Sequence, residues 1–292
     1  MQSFRRSLVN SAVAIFFVFT VKSFAAEQRI VTLAPAIAET VAQILGTEAA
    51  SRQIVGVSEY TDFPVELKAK PSIGPYFKPN LEAILALKPD LVIATRDGNP
   101  KEIVDQLRKW KIPVLEIQSQ SIQEMMDSEI RVGQALGHKD VAEKQVSQMK
   151  SEMSRIKKNA QIRDQNLNKK QKVMFQLDQD PLVVAGGRSF LSEILTLMGA
   201  ENIYRDDPSA YPKVSVESVF QKNPDWILCI AFSSVDQQRF EGMKKKWERF
   251  SQLEAIKKKQ VVVFHSDALV RPGPRLMEGV RQLEKQIYGM SK

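Results

Sequence analysis

The chain has 292 residues, 43% hydrophobic and 26% charged, with 42 Lys and Arg against 34 Asp and Glu, a formal charge of +8 at pH 7. That length exceeds the usual single core and favours two domains. One cysteine and two histidines rule out an internal disulfide and supply few ligands for a zinc site.

Arg5 and Arg6 precede an uncharged apolar run from Leu8 to Val21, and Ser23-Phe24-Ala25 offers small residues where a signal peptidase reads. This pattern is that of a secretory signal peptide over residues 1–25, cut near Ala25, and it predicts an exported protein. The apolar run is shorter than the roughly 20 residues a spanning helix needs. No cysteine follows it, which excludes a lipoprotein anchor. Removing 1–25 leaves 39 basic and 34 acidic residues, or +5.

After the leader, Arg29 to Leu33 reads as a strand, Ala38 to Leu45 as a helix closed by Gly46, and Ile54 to Val57 as a second strand. Next comes Tyr76 to Ala94, which recurs without a gap 135 residues later as Tyr211 to Cys229. Tyr76 matches Tyr211, Lys78 matches Lys213, Glu82 matches Glu217, and Pro89-Asp90 matches Pro224-Asp225. In each copy Asn80 or Ser215 is suited to cap a short helix whose second position is the glutamate, where the helix dipole favours an anion. Pro-Asp then ends the helix, and an apolar run of strand length follows. The repeat predicts two related lobes with one carboxylate placed alike on each.

The first lobe continues with a helix from about Pro100 to Trp110, a strand Pro113 to Ile117 and a helix near Ile122 to Leu136. Between Asp140 and about Asp164, Val141, Val146, Met149, Met153, Ile156 and Ala160 form one apolar stripe on a charged surface, which predicts a single long helix. Ten Lys and Arg against four Asp and Glu lie between Lys139 and Lys172. Without interleaved aromatics this excess reads as a solvated helix face and not as a nucleic-acid surface. The second lobe has a strand Lys172 to Leu177, a helix Phe190 to Met198 ended by Gly199, the repeated unit, a strand Gln260 to Phe264 and a closing helix from about Arg275 to Tyr288. Strand-helix alternation predicts an α/β fold of two Rossmann-like lobes with mainly parallel sheets, joined by one long α-helix. The expected units are the leader 1–25, an N-terminal lobe 26–138, a connecting helix 139–168 and a C-terminal lobe 169–292.

Catalytic groups are scarce. His138 follows Gly137 at a helix end, where capping is expected. His265 ends a strand, a position from which α/β proteins address ligands, so a structural and a ligand-facing role both stay open. His265-Ser266-Asp267 cannot assemble locally into a relay, because adjacent strand residues point to opposite faces. Gly186-Gly187-Arg188-Ser189 reads as a turn, with backbone anion binding as the alternative. Cys229 lies in an apolar strand and is expected to be buried and unreactive. Instead of a catalytic set, Tyr60, Tyr76 and Tyr211 fall in strand-end loops with Arg96, Asp97, Asn99, Asp267 and Arg271. Aromatic faces with a few polar groups suit a large, partly flat organic ligand held between lobes.

Four segments carry a family resemblance: Leu33-Ala-Pro-Ala-Ile-Ala-Glu39, Val55 to Pro64, Ala86 to Asn99, and Ser266-Asp-Ala-Leu-Val-Arg-Pro-Gly-Pro-Arg275. Over residues 29–288 the chain resembles the periplasmic binding proteins whose lobes are joined by one helix, and in the Tyr60 and Arg96-to-Asn99 segments those of cobalamin importers. The resemblance implies a carrier that captures cobalamin (vitamin B12) or a related corrinoid and delivers it to an inner-membrane ABC importer. It implies no catalysis and a monomer, with Pro35, Tyr60, Tyr76, Tyr211, Asp267 and Arg271 lining the site. Tyr76, Tyr211, Thr95 and Ala268 stand where better-known members have tryptophan, and Met198 and Glu284 where some have a disulfide. Glu82 and Glu217 occupy the positions that dock on the two permease subunits, a pairing a two-fold permease requires. Haem or a ferric siderophore is the alternative cargo, and an exported hydrolase or corrinoid-modifying enzyme using Asp267 and His265 is the alternative from another class.

Overall fold

A computed structural model of the chain describes residues 27–167, 169–231 and 237–289. The leader expected over 1–25 lies outside the described residues. The first lobe runs β1 (Ile30–Thr32), α1 (Pro35–Leu45), α2 (Thr47–Gln53), β2 (Ile54–Val57), α3 (Leu81–Ala86), β3 (Leu91–Thr95), α4 (Lys101–Lys109), β4 (Val114–Ile117) and α5 (Ile122–Ala135). Its four strands are parallel in the order β2-β1-β3-β4. α1 begins three residues before the expected start because Pro35 takes the first helical position, where its missing N–H costs nothing.

The long helix α6 (Lys139–Leu167) leads to β5 (Lys172–Gln179), β6 (Leu182–Val184), α7 (Phe190–Leu197), β7 (Glu201–Asn202), α8 (Val216–Lys222), β8 (Trp226–Ala231), α9 (Gln237–Trp247), α10 (Glu254–Lys257), β9 (Val261–His265), α11 (Asp267–Val270) and α12 (Leu276–Tyr288). β7, β8 and β9 extend a parallel sheet from β5, and β6 folds back antiparallel on the edge that β7 also occupies. The sequence reading passed over β6 and β7: they have three and two residues, too few to show a period.

Alternation along the strands fills both faces of each sheet. In the first lobe Ile30 and Ile93 meet Ile37 and Val41 of α1, while Val31 and Val92 meet Ile84 of α3 and Leu107 of α4. In the second, Phe175 and Leu228 pack with Leu191 of α7 and Leu283 of α12. Met174 and Ile227 turn the other way, towards Val219 of α8 and Trp247 of α9.

The duplicated unit repeats down to single hydrogen bonds. Asn80 Oδ1 accepts from the Ala83 N–H at 3.1 Å, and Ser215 Oγ from the Ser218 N–H at 3.2 Å, so both helices are capped as expected. Asp90 and Asp225 do more than follow a helix-ending proline. Their carboxylates accept the N–H of Arg29 at 2.8 Å and of Lys172 at 3.0 Å. Each also donates its own N–H to that residue's carbonyl, at 2.8 Å in both lobes. The two lobes therefore pin the start of their first strand in the same way.

α6 does not join the lobes alone. Ala142 near its start belongs to the first lobe's core, and Val146, Met149 and Ile156 belong to the second's. α5 runs beside it and divides likewise, with Val132 in the first core and Ile122, Met125 and Met126 in the second. His138 sits between the two helices: its N–H caps α5 on the Gly133 carbonyl at 2.8 Å, and its carbonyl accepts from Ala142 at 3.3 Å.

Near the far end of α6, Arg163 reaches Met198 and Glu284, the two positions that the sequence comparison singled out. Its guanidinium donates to the Met198 carbonyl at 2.8 Å, pairs with Glu284 at 3.1 Å and lies over the Tyr288 ring at 4.1 Å. The side chains of Arg163 and Glu284 are 11% and 8% exposed, so removing the cation leaves a buried acid with only the more distant Arg155, at 4.0 Å. Arg163→Ala is expected to lower unfolding stability by about 3 kcal/mol in a urea titration, the range for breaking one side of a buried pair. A loss below about 1 kcal/mol, typical of an exposed pair, would show that the staple is idle.

Candidate functional site

The C-terminal ends of the parallel strands in both lobes carry the loops that the sequence marked. After β3, Asn99 organises the first of them. Its amide donates to the Leu33 carbonyl at 3.0 Å and the Tyr76 carbonyl at 2.7 Å, and its Oδ1 accepts from Thr95 at 2.7 Å. Gly98 lies against the Tyr76 ring so closely that a Cβ there would sit 2.6 Å from Cε2. Tyr76 also meets Phe77 edge-on, with centroids 5.5 Å apart. Asp97 is fixed beside them by the Ser119 N–H at 2.5 Å and hydroxyl at 3.0 Å.

In the second lobe the loop bearing Tyr211 rests on Gly186 and Gly187. A Cβ on either would fall about 2 Å from a loop carbonyl, at Ser209 and Arg205 respectively. Their N–H groups donate to Ala210 at 2.9 Å and Asp207 at 3.1 Å. The turn expected at these glycines is therefore a seat for the tyrosine loop, and the N–H groups of the anion-binding alternative are already used. Tyr211 stands across from the first lobe: burial pushes its hydroxyl up to about 12, and nearby Asp97 and Tyr76 add to the shift. It is still 43% exposed, against 41% for Tyr76 and 46% for Tyr60.

Tyr60, Asp267 and Arg271 meet at a second place, around a charge that the sequence reading missed. Glu39, on the buried side of α1, is held by two arginines of the other lobe, Arg271 and Arg275. Arg275 contacts its two oxygens at 2.8 and 2.9 Å, and Arg271 contacts Oε1 at 3.1 Å. Arg271 also pairs with Asp62 at 2.5 Å, donates to the Tyr60 carbonyl at 3.3 Å and lies 3.8 Å from Asp267. Arg275 covers the Phe63 ring at 3.9 Å. Burial works against the charge on Arg271, but Asp62, Asp267 and Glu39 outweigh it and raise its pKa. Arg271 is thus buried in an ion cluster and shapes the Tyr60 loop from behind. One signal was available beforehand: an acid amid Ile37, Ala38, Val41 and Ala42 on a helix must find a cation.

Pro35 opens α1 beside this cluster, and the adjacent Ala36 approaches Gly273 of the other lobe. Glu82 and Glu217 are exposed in the first turns of α3 and α8, away from the cleft loops. Hydrogen bonds from its own backbone N–H and from Ser215 lower the Glu217 pKa. His265 is exposed at the end of β9. Ser266 is committed elsewhere, capping α11 at 3.2 Å and bonding Gln282 at 2.6 Å. Cys229 is fully buried in β8, and burial pushes its thiol up to about 12. Among the described residues no three His, Cys, Asp or Glu are grouped to hold a metal ion.

Residues 30–268 match the family model described as periplasmic binding protein. A vitamin B12-binding protein from Pectobacterium carotovorum is 30% identical over 269 residues, covering 92% of this chain and 91% of its own. The crystal structure of the periplasmic vitamin B12 binding protein of Vibrio cholerae superposes with a TM-score of 0.73 at 26% identity, covering 89% of this chain and 96% of that one. A periplasmic heme binding protein from Pseudomonas aeruginosa superposes with a TM-score of 0.79 at 23% identity over 91% and 94% of the two chains, a likeness of fold. The chain belongs to the periplasmic binding protein family.

Proposed function

We propose that the chain is exported to the periplasm, captures cobalamin or a related corrinoid between its lobes, and hands it to an ABC importer without covalent chemistry. The lobes of this reading are residues 26–138 and 169–292, with 139–168 connecting them. One observation carries it. Of the eight large hydrophobic side chains exposed among the described residues, Tyr60, Phe63, Tyr76, Phe77 and Tyr211 are all in the loops around the cleft. Aromatic area left in water on loops at the strand ends fits a wide, flat ligand better than a small polar one. The vitamin B12-binding relatives, similar along nearly their whole length, support the corrinoid choice.

In this reading Pro35, Tyr60, Tyr76, Tyr211 and Asp267 contact the corrin, and Arg271 contributes by holding the Tyr60 loop. Tyrosine at the positions where the resemblance implies tryptophan keeps a stacking face with less apolar area, which weakens binding or admits a different corrinoid. Glu82 and Glu217 are the docking charges for the two permease subunits. Their exposure and their equal placement on duplicated helices support that role.

Calorimetric titration with cyanocobalamin, haemin and a ferric siderophore tests the cargo. Cyanocobalamin is expected to bind, and Tyr76→Ala or Tyr211→Ala to weaken it about tenfold each, the scale of one buried aromatic contact. No heat with cyanocobalamin beside tight haemin binding would overturn the corrinoid reading. Asp267→Ala is expected to lower affinity only; loss of a measurable turnover would point to an enzyme instead. For docking, Glu82→Arg and Glu217→Arg are expected to leave cyanocobalamin binding intact and to impair uptake in cells. Normal uptake by the double reversal would remove both residues from that role.

A further inference from the structure

A crevice of about 240 Å³ lies between the lobes, lined by α1, α5, α6, α12 and the loop before α12, away from the aromatic loops. Glu129 of α5 is 3% exposed there, and neither of its carboxylate oxygens has a hydrogen-bond partner among the described residues. Gln145 of α6 donates its amide N–H to the Gln43 carbonyl at 2.9 Å, which leaves its buried Oε1 facing no donor. Three buried acceptor atoms of the crevice thus have no hydrogen bond, although its lining also includes the Gln148 amide and the Arg281 guanidinium, which pairs with Glu152. Met149 and Met277 supply apolar wall beside them.

Charge decides what such a place accepts. α6 contributes one other carboxylate, Glu152, which Arg281 of α12 and Arg155 hold at 3.0 and 2.7 Å, keeping it ionised down to about 2. α1 contributes Gln43 and no ionisable lining group. Both guanidiniums are engaged with Glu152, no ion pair reaches Glu129 among the described residues, and burial pushes its carboxyl up to about 7. A single carboxylate and an amide carbonyl are too few for a divalent ion, which takes six or more oxygens. Three unpaired acceptors in one crevice, with Met149 and Met277 beside them, match in number the three N–H donors and in sign the one charge of an ammonium group.

We propose that this crevice binds a small primary ammonium ion, held by the Glu129 carboxylate and the Gln145 carbonyl oxygen between Met149 and Met277. Because elements of both lobes line the crevice, its occupant bridges them on the side of α5 and α6.

Calorimetric titration of the purified protein with methylammonium chloride at pH 8 tests this, with tetramethylammonium and potassium chlorides alongside. A saturable heat is expected from methylammonium only, since tetramethylammonium has the charge without N–H donors. At pH 6 the apparent affinity is expected to be roughly tenfold weaker, because protons then compete for the carboxylate. Glu129→Gln is expected to lose the heat and yet to unfold at a higher temperature than the parent at pH 8. The sign follows from linkage. The unfolded carboxyl ionises at its ordinary value and the folded one only near 7, so the parent loses stability as pH rises through that window and the variant does not. Equal heats from the three salts, no saturable heat, or heat surviving in Glu129→Gln would overturn the proposal. Should the variant not fold, an affinity unchanged between pH 6 and pH 8 would do the same.

Discussion

Glu39 is an acid on the buried side of α1, and that helix keeps it there because Arg271 and Arg275 reach it from the opposite lobe. An isolated buried carboxylate is prohibitively costly, so the two lobes must meet where these three side chains are. Asp62 completes the set, giving two anions from one lobe against two cations from the other. Such a cluster has little net charge to desolvate but strict geometry, and its value lies more in fixing position than in net stability. Arg271 extends that position to a loop: its second branch donates to the Tyr60 carbonyl, so the loop presenting that exposed aromatic is anchored to the other lobe. Arg275 does the same for Phe63 through its ring face.

The remaining aromatics are placed by backbone fitting. Tyr76 leans on Gly98 and is tied by Asn99, and the Tyr211 loop leans on Gly186 and Gly187. In both cases a side chain is missing where the backbone must approach closely, so the tyrosines are held by packing and their rings stay free on the cleft side. Duplication gives the arrangement its economy. One unit of sequence supplies a capped helix with an outward glutamate, an aspartate that pins the neighbouring strand, and a tyrosine at the cleft, and each lobe carries one copy.

What was legible in the sequence is what local physics controls. The long apolar runs became β3 and β8, the Asn80 and Ser215 caps formed as their positions required, and the apolar stripe after Asp140 became α6. Illegible were features that depend on a partner distant in the chain. Arg271 reads as a ligand contact until Glu39, 232 positions away, is seen to claim it. Arg163 reads as one more charge on a solvated helix face until Met198 and Glu284 close around it. β6 escapes notice because its three residues owe their form to pairing with β5 rather than to any pattern of their own.

How far the cleft opens follows from unequal bonds between the lobes. At the mouth the connection is ionic: when Glu39, Asp62, Arg271 and Arg275 separate, water solvates them, so opening there costs far less than deleting one partner in place. Behind the cleft the connection is apolar. Met125 and Met126 of α5 and Val146 and Met149 of α6 lie in the second lobe's core, while Val132 and Ala142 of the same helices lie in the first's. Pulling those groups into water has no such compensation, at about 25 cal/mol for each Å² of apolar area exposed. The Ile122 N–H, bonded to Glu193 of α7 at 3.0 Å, ties the start of α5 to the second lobe as well. The lobes can therefore rock about the α5–α6 pair while the ion cluster parts and reforms, but they cannot swing widely apart.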